Sequence, residues 1–159
     1  MRTHERPALT VGVRVGTFLP AHISVGLLAM REKVLVADDH IDAADTTALL
    51  LRLEGSFEVE VVYGGLEAVN AARTFAPDLV LLDINMPGMD GYQAAGIIRS
   101  EQPPNRRLVL VALTGRSTQD DIELARRAGF DYHIAKPAAA ETLCALIASF
   151  LDQTSVDAP

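Results

Sequence analysis

The sequence contains no tryptophan, and only three tyrosines and five phenylalanines are spread over its 159 residues. A single cysteine, Cys144, excludes a disulfide framework or a cysteine-built zinc site within the chain. A reducing cytoplasm is the compartment that this cysteine usage leads one to expect. Basic residues are also scarce: 14 Lys/Arg stand against 21 Asp/Glu, for a net charge of −7. From residue 33 onward, 10 of the 14 bases and 19 of the 21 acids remain, which leaves that stretch at −9. So acidic a surface is repelled by phosphate backbones and anionic membranes, so neither nucleic acid nor membrane is expected as a partner. No apolar run approaches the roughly 18 residues of a membrane span.

Residues 1–32 differ from the rest. Arg2, His4, Arg6 and Arg14 precede a semi-apolar run from Phe18 to Met30, but Arg14, Pro20 and His22 interrupt every candidate signal-peptide core. This stretch reads as a disordered extension or an over-called start, with Met30 as the natural initiator. Residues 33–152 then form one folded domain, and 153–159 a polar tail.

Apolar residues make up 49% and charged residues 22%, an ordinary globular balance able to fill a core. From Lys33, short apolar runs alternate with stretches of helical period, the pattern of repeated strand–helix units around a parallel sheet. Val34–Ala37 is the first expected strand, and its helix buries Ile41, Ala44, Ala48, Leu49 and Leu53. Glu58–Tyr63 begins with polar–apolar alternation, which suits a half-exposed edge strand. Gly64-Gly65 opens a helix with Leu66, Val69 and Ala72 as its stripe. Leu79–Leu82 is apolar throughout, as a central strand covered on both faces should be. After a turn-rich loop, a helix packs through Ala94, Ile97 and Ile98, and a fourth strand spans Leu108–Leu113. Ser117 with Asp120 resembles a helix start, Arg126-Arg127 suit the helix end and Gly129 its cap. A fifth strand over 131–135 precedes a last helix that buries Leu143, Ile147 and Phe150 or Leu151.

Polar residues follow these strands immediately. Asp38-Asp39 end the first, Asp83 the third, Thr114 the fourth and Lys136 the fifth. In a doubly wound parallel sheet all carboxyl ends share one edge, where ligands bind. Any one of these residues is more simply a cap, a turn former or a solvated charge. It is their joint placement that points to a site. Three carboxylates at one edge repel unless a cation joins them. An all-oxygen set suits a hard ion that keeps several waters, magnesium or alternatively manganese. For transfer of a phosphoryl group to a carboxylate, Lys136 supplies positive charge, Thr114 a hydroxyl donor and Gly115 room.

Val34-Leu-Val-Ala-Asp38-Asp39, Asp78-Leu-Val-Leu-Leu-Asp83-Ile-Asn-Met-Pro87-Gly-Met-Asp90-Gly91, Ala112-Leu-Thr114-Gly115 and Lys136-Pro137 together resemble the receiver domain of two-component response regulators. The resemblance covers Lys33 to about Leu151 and includes receivers of hybrid sensor histidine kinases. It implies an α/β, flavodoxin-like fold: a doubly wound five-stranded parallel sheet of order 2-1-3-4-5 with helices on both faces. It further implies that Asp83 is the phospho-acceptor. Asp39 and Asp83 would then ligate Mg2+ directly, Asp38 largely through water, and Asn85 by its backbone carbonyl. Thr114 and Lys136 would hold the phosphoryl group, and Lys136-Pro137 would be cis. His133 stands where the family has its switch aromatic, coupled to Thr114, and Asn85 and Arg116 stand at positions that tune dephosphorylation. The implied donor is a histidine kinase or histidine phosphotransfer protein. The downstream protein would dock on the fourth helix, fifth strand and fifth helix.

The expected protein is not an enzyme on external substrates, catalysing only its own phosphorylation and dephosphorylation. With no output domain after Leu151, a single-domain relay leads, and a module of a hybrid kinase phosphorelay is the alternative. A magnesium-dependent phosphohydrolase is disfavoured because Asn85 stands where its general acid would be. An unphosphorylated binding module would have no use for the complete set of site residues.

Overall fold

In the computed structural model, the residues described are 31–54, 57–115, 118–139, 142–147 and 149. The expectations for residues 1–30, Arg116, Ser117, Phe150, Leu151 and the tail lie outside them. Five strands, β1 (Glu32–Ala37), β2 (Phe57–Val62), β3 (Leu79–Asp83), β4 (Val109–Thr114) and β5 (Tyr132–Ala135), alternate with four helices. These are α1 (Ile41–Leu53), α2 (Gly65–Phe75), α3 (Gly91–Glu101) and α4 (Gln119–Ala128), and residues 142–147 are again helical. The strands are all parallel, in the order β2-β1-β3-β4-β5. The expected doubly wound sheet is thus present, with strand limits moved by one or two residues.

Alternate residues of the central strands feed two cores. Leu35, Ala37, Val80, Leu82, Leu110 and Ala112 pack beneath α2, α3 and α4 with Val69, Ile98 and Phe130. Val34, Val36, Leu79, Leu81, Val109, Val111 and Leu113 pack on the other face against Ala44, Ala48, Leu51, Leu143 and Ile147. All five residues of β3 are buried, which explains its unbroken apolar sequence. β2 is only half-buried at the edge, as its alternation indicated.

Two helix faces differ from expectation. In α1 the buried residues are Ala44, Ala48 and Leu51, whereas Ile41, Leu49 and Leu53 are 56%, 55% and 72% exposed. In α2 the buried set is Gly65, Ala68, Val69 and Ala71, and Leu66 is exposed while Ala72 is half-buried. The reason is steric: small side chains let a helix axis approach the sheet closely, so the largest apolar residues are not those that face it. In α3, Ala94, Ala95 and Ile98 are buried and Ile97 is packed at the margin.

At the start of α4, Thr118 is the cap: its hydroxyl oxygen accepts from the Asp121 N–H, and Asp121 Oδ2 accepts from the Thr118 N–H. Gly129 closes the helix at φ 103°, and the Phe130 N–H donates back to the Ala125 carbonyl. No helix among the described residues is long and apolar enough to cross a membrane.

Candidate functional site

Strand register carries the polar residues to one edge. Ala37 pairs with Leu82, so Asp38 follows β1 beside Asp83 at the end of β3. Asp83 pairs with Leu113, and Thr114 with Ala135, which puts Lys136 just beyond the end of β4. The Lys136 N–H donates to the Thr114 carbonyl (2.7 Å), and the Lys136-Pro137 peptide is cis, as expected.

Gly91 fixes the loop after Asp83. A Cβ there would collide with the Asp83 carbonyl oxygen and lie 2.7 Å from Ile84 Cα, while the Gly91 N–H donates to the Ile84 carbonyl. One residue earlier, Asp90 caps α3 in a reciprocal pair with Gln93.

The structure brings Asp38, Asp39, Asp83, Thr114 and Lys136 together. Asp38 and Asp83 are 2% and 3% exposed, and Thr114 is buried. The Lys136 ammonium donates to Asp38 Oδ2 at 2.6 Å and lies 3.1 Å from Asp83 Oδ1. Asp38 Oδ1 accepts from the His40 N–H at 2.9 Å. Asp83 Oδ1 also faces the Asn85 N–H at 3.4 Å, a long contact.

Burial pushes the Asp83 carboxyl above its ordinary range, and the Asp38 charge adds to this. Lys136 and the Asn85 N–H oppose the shift without cancelling it. For Lys136, burial works against the ammonium, but its bonds to Asp38 and Asp83 prevail and raise its pKa. The two directions agree physically, because one ammonium is shared between Asp83 and a second buried carboxylate, Asp38.

Asp38, Asp39, Asp83 and His40 offer four donor atoms within 4.8 Å of one another. Three carboxylates against one ammonium leave a charge deficit that a single divalent cation would meet, and the oxygen-rich set fits a hard ion. Asn85 is exposed, and its N–H faces Asp83 Oδ1 of this cluster.

His133 is half-buried and lines an enclosed space next to Thr114, together with Ile84, Tyr92, Asp121 and Ile122. Thr114 and His133 thus line the same small space. A Cβ on Gly115 would meet nothing within 4 Å, so the space expected beyond Thr114 is open.

Sequence reasoning missed two groups. Tyr92 lies beside Thr114 and meets Phe130 edge to face, with ring centroids 6.4 Å apart. His40 turns its ring toward the acidic cluster, and its only signal in the sequence was adjacency to Asp38-Asp39.

Residues 34–148 match the family model described as the response regulator receiver domain. The chain belongs to that family. It is 36% identical over 108 residues to the DNA-binding response regulator MtrA of Mycobacterium tuberculosis, a match over 68% of this chain and 45% of MtrA. It is 35% identical over 129 residues to the sensor protein GacS of Pseudomonas syringae, a match over 80% of this chain and 14% of GacS. The receiver thus spans about half or less of the curated relatives it matches. Among solved structures, a CheY-like receiver domain protein from Methanospirillum hungatei superimposes with a TM-score of 0.71 at 25% identity. That superposition covers 80% of this chain and 98% of the other. The receiver fold and its helix-flanked sheet of order 2-1-3-4-5 are therefore common to this chain and its relatives.

Proposed function

We propose that this receiver accepts a phosphoryl group on Asp83 from a phosphohistidine of a histidine kinase or histidine phosphotransfer protein. The observation that carries the reading is the buried Asp83 carboxylate, 3.1 Å from the Lys136 ammonium at the end of the central strand. An Asp83 oxygen attacks phosphorus, the phosphorus–nitrogen bond breaks, and its electron pair stays with the donor imidazole. The product is an acyl phosphate. Lys136, now shared between Asp38 and Asp83, re-pairs with a phosphoryl oxygen, and the Thr114 hydroxyl donates to another.

Asp39, Asp83 and the Asn85 carbonyl, with Asp38 through water, are the residues that would hold magnesium, or manganese in its place. Such an ion supplies charge neutralisation on the equatorial phosphoryl oxygens. Asn85 and Arg116 set access of the water that later hydrolyses the acyl phosphate.

Phosphorylation draws on Thr114, and the His133 ring beside it relays the change to the face formed by α4, β5 and the helix over 142–147. A downstream protein reads that face in the cytoplasm. The reading includes no turnover of external substrates, since Asn85 cannot act as a general acid. The likeness to GacS favours a second setting, a phosphorelay in which the receiver serves a hybrid kinase.

Incubation with acetyl phosphate and magnesium, or with phosphorylated kinases, tests the proposal on a phosphate-affinity gel. Wild type should shift to an acid-stable, base-labile species that Asp83→Ala lacks. A failure of every donor to label the wild type would overturn it.

A further inference from the structure

We propose that His40 gives the acidic site a nitrogen donor, and with it a preference for borderline transition-metal ions such as zinc over magnesium. This rests on the reading of Asp38, Asp39 and Asp83 as a cation site and extends it by one ligand.

His40 is the N-cap residue of α1, with an extended backbone (φ −85°, ψ 98°). Ser, Thr, Asp and Asn at that position ordinarily cap the helix through their side chains. His40 does not, for α1 has no side-chain cap hydrogen bond. Instead its N–H donates to Asp38 Oδ1, and this local turn aims the ring at the carboxylates. Nδ1 lies 3.2 Å from Asp39 Oδ1 and 3.4 Å from Asp38 Oδ1. The imidazole is thus one of the four donor groups within 4.8 Å of one another. At 73% exposure its side chain is open to solvent, which leaves the ring free to reorient around an ion.

Ligand chemistry gives the consequence. Magnesium takes oxygen ligands and keeps several waters, so an imidazole adds little to its affinity. Nickel, copper and zinc all gain strongly from imidazole nitrogen, with affinity peaking at copper. With His40 in place, zinc competes with magnesium for the carboxylates that include Asp83.

The test uses the full chain and two substitutions, His40→Asn, which keeps a capping residue without the imidazole, and His40→Gln. Zinc affinity is measured against a metallochromic chelator, and magnesium affinity by calorimetry. Zinc binding should weaken in both variants by on the order of tenfold or more. Magnesium binding should change by less than about twofold. Copper(II) bound to wild type should show nitrogen hyperfine splitting in its electron paramagnetic resonance spectrum, and this splitting should be reduced in both variants. Zinc affinities and copper spectra that do not depend on residue 40 would overturn the assignment of His40, even with magnesium binding intact. If Asp83→Asn changes the binding of neither metal, the underlying cation site fails as well, and the two failures are distinguishable.

Discussion

Lys136 and Asp83 meet at 3.1 Å although they close different strands, and the same ammonium is held more tightly, at 2.6 Å, by Asp38. The lysine therefore lies between two buried carboxylates, the proposed acceptor Asp83 and Asp38 of the proposed cation site. On that proposal it must leave this position in part when a phosphoryl group is bound.

Lys136→Met should separate these roles. Loss of the ammonium removes a charge aimed at the developing phosphoryl oxygens, and labelling by acetyl phosphate should slow by roughly a hundredfold or more. Magnesium affinity should not fall, because the competing cation has gone from a cluster of three carboxylates. Phosphorylation rates measured at saturating magnesium, with a parallel magnesium titration, check both halves. Loss of magnesium binding in the variant would contradict the arrangement.

Asp83→Asn should make the metal-free protein more stable at neutral pH. Burial, reinforced by Asp38, raises the Asp83 pKa despite Lys136 and the Asn85 N–H, so the folded state binds its proton more readily than the unfolded chain. A raised pKa adds stability below the unfolded value and loses it as pH rises through the folded value. At neutral pH, ionised Asp83 is thus a net cost, which the amide avoids. Thermal melts in chelator-treated buffer should show the variant above wild type at neutral pH, with the gap closing under acid conditions. A lower midpoint for Asp83→Asn at neutral pH would oppose this.

The sheet was legible because β3 and β4 are covered on both faces and must be apolar throughout, and β2 is an edge and alternates. The site was legible because Asp38, Asp83, Thr114 and Lys136 each end an apolar strand at once, and parallel strands share one edge. Helix rotation was not. Leu49 and Leu66 outrank Ala48 and Ala68 on hydrophobicity, yet the alanines face the sheet, since close approach rewards small volume over apolar area. Side-chain direction also hid His40, since nothing in Asp-Asp-His states that the imidazole turns back rather than outward.

Two glycines of α3 should answer oppositely to alanine. In Gly91→Ala the new methyl group enters the Asp83 carbonyl oxygen and Ile84 Cα, backbone that cannot move aside without shifting the acceptor. Its cost should be about 1–3 kcal/mol, as for overpacking elsewhere. Gly96 is exposed in the same helix and a Cβ there meets nothing within 4 Å, so Gly96→Ala should stabilise by up to about 1 kcal/mol. Urea midpoints at unchanged m-value measure both. Gly91→Ala should also slow phosphorylation, whereas Gly96→Ala should leave it alone.

Arg99 should prove a main tie across the lower half of α3, far from the phosphorylation edge. Its guanidinium donates to the Gly129 carbonyl at 2.8 and 3.1 Å and to the Leu108 carbonyl at 2.9 Å. It also donates to Gln102 at 2.8 Å and pairs with Asp131 at 2.7 Å. Asp131 Oδ2 in turn accepts from the Leu110 N–H at 2.8 Å. One half-buried side chain thus closes the end of α4 and joins it to the starts of β4 and β5. Removing a charged partner from carbonyls costs about 1.5–3 kcal/mol per well-made bond, and shared geometry keeps the sum below simple addition. Arg99→Met should therefore destabilise by roughly 2–4 kcal/mol while retaining the apolar stem. Because the clamp lies at the opposite ends of the strands from Asp83, initial phosphorylation rates at low temperature should stay within about twofold of wild type. Hydrogen exchange should show protection lost first at Gly129–Asp131 and Leu110. Equal urea midpoints for variant and wild type would mean that solvent replaces these bonds without loss.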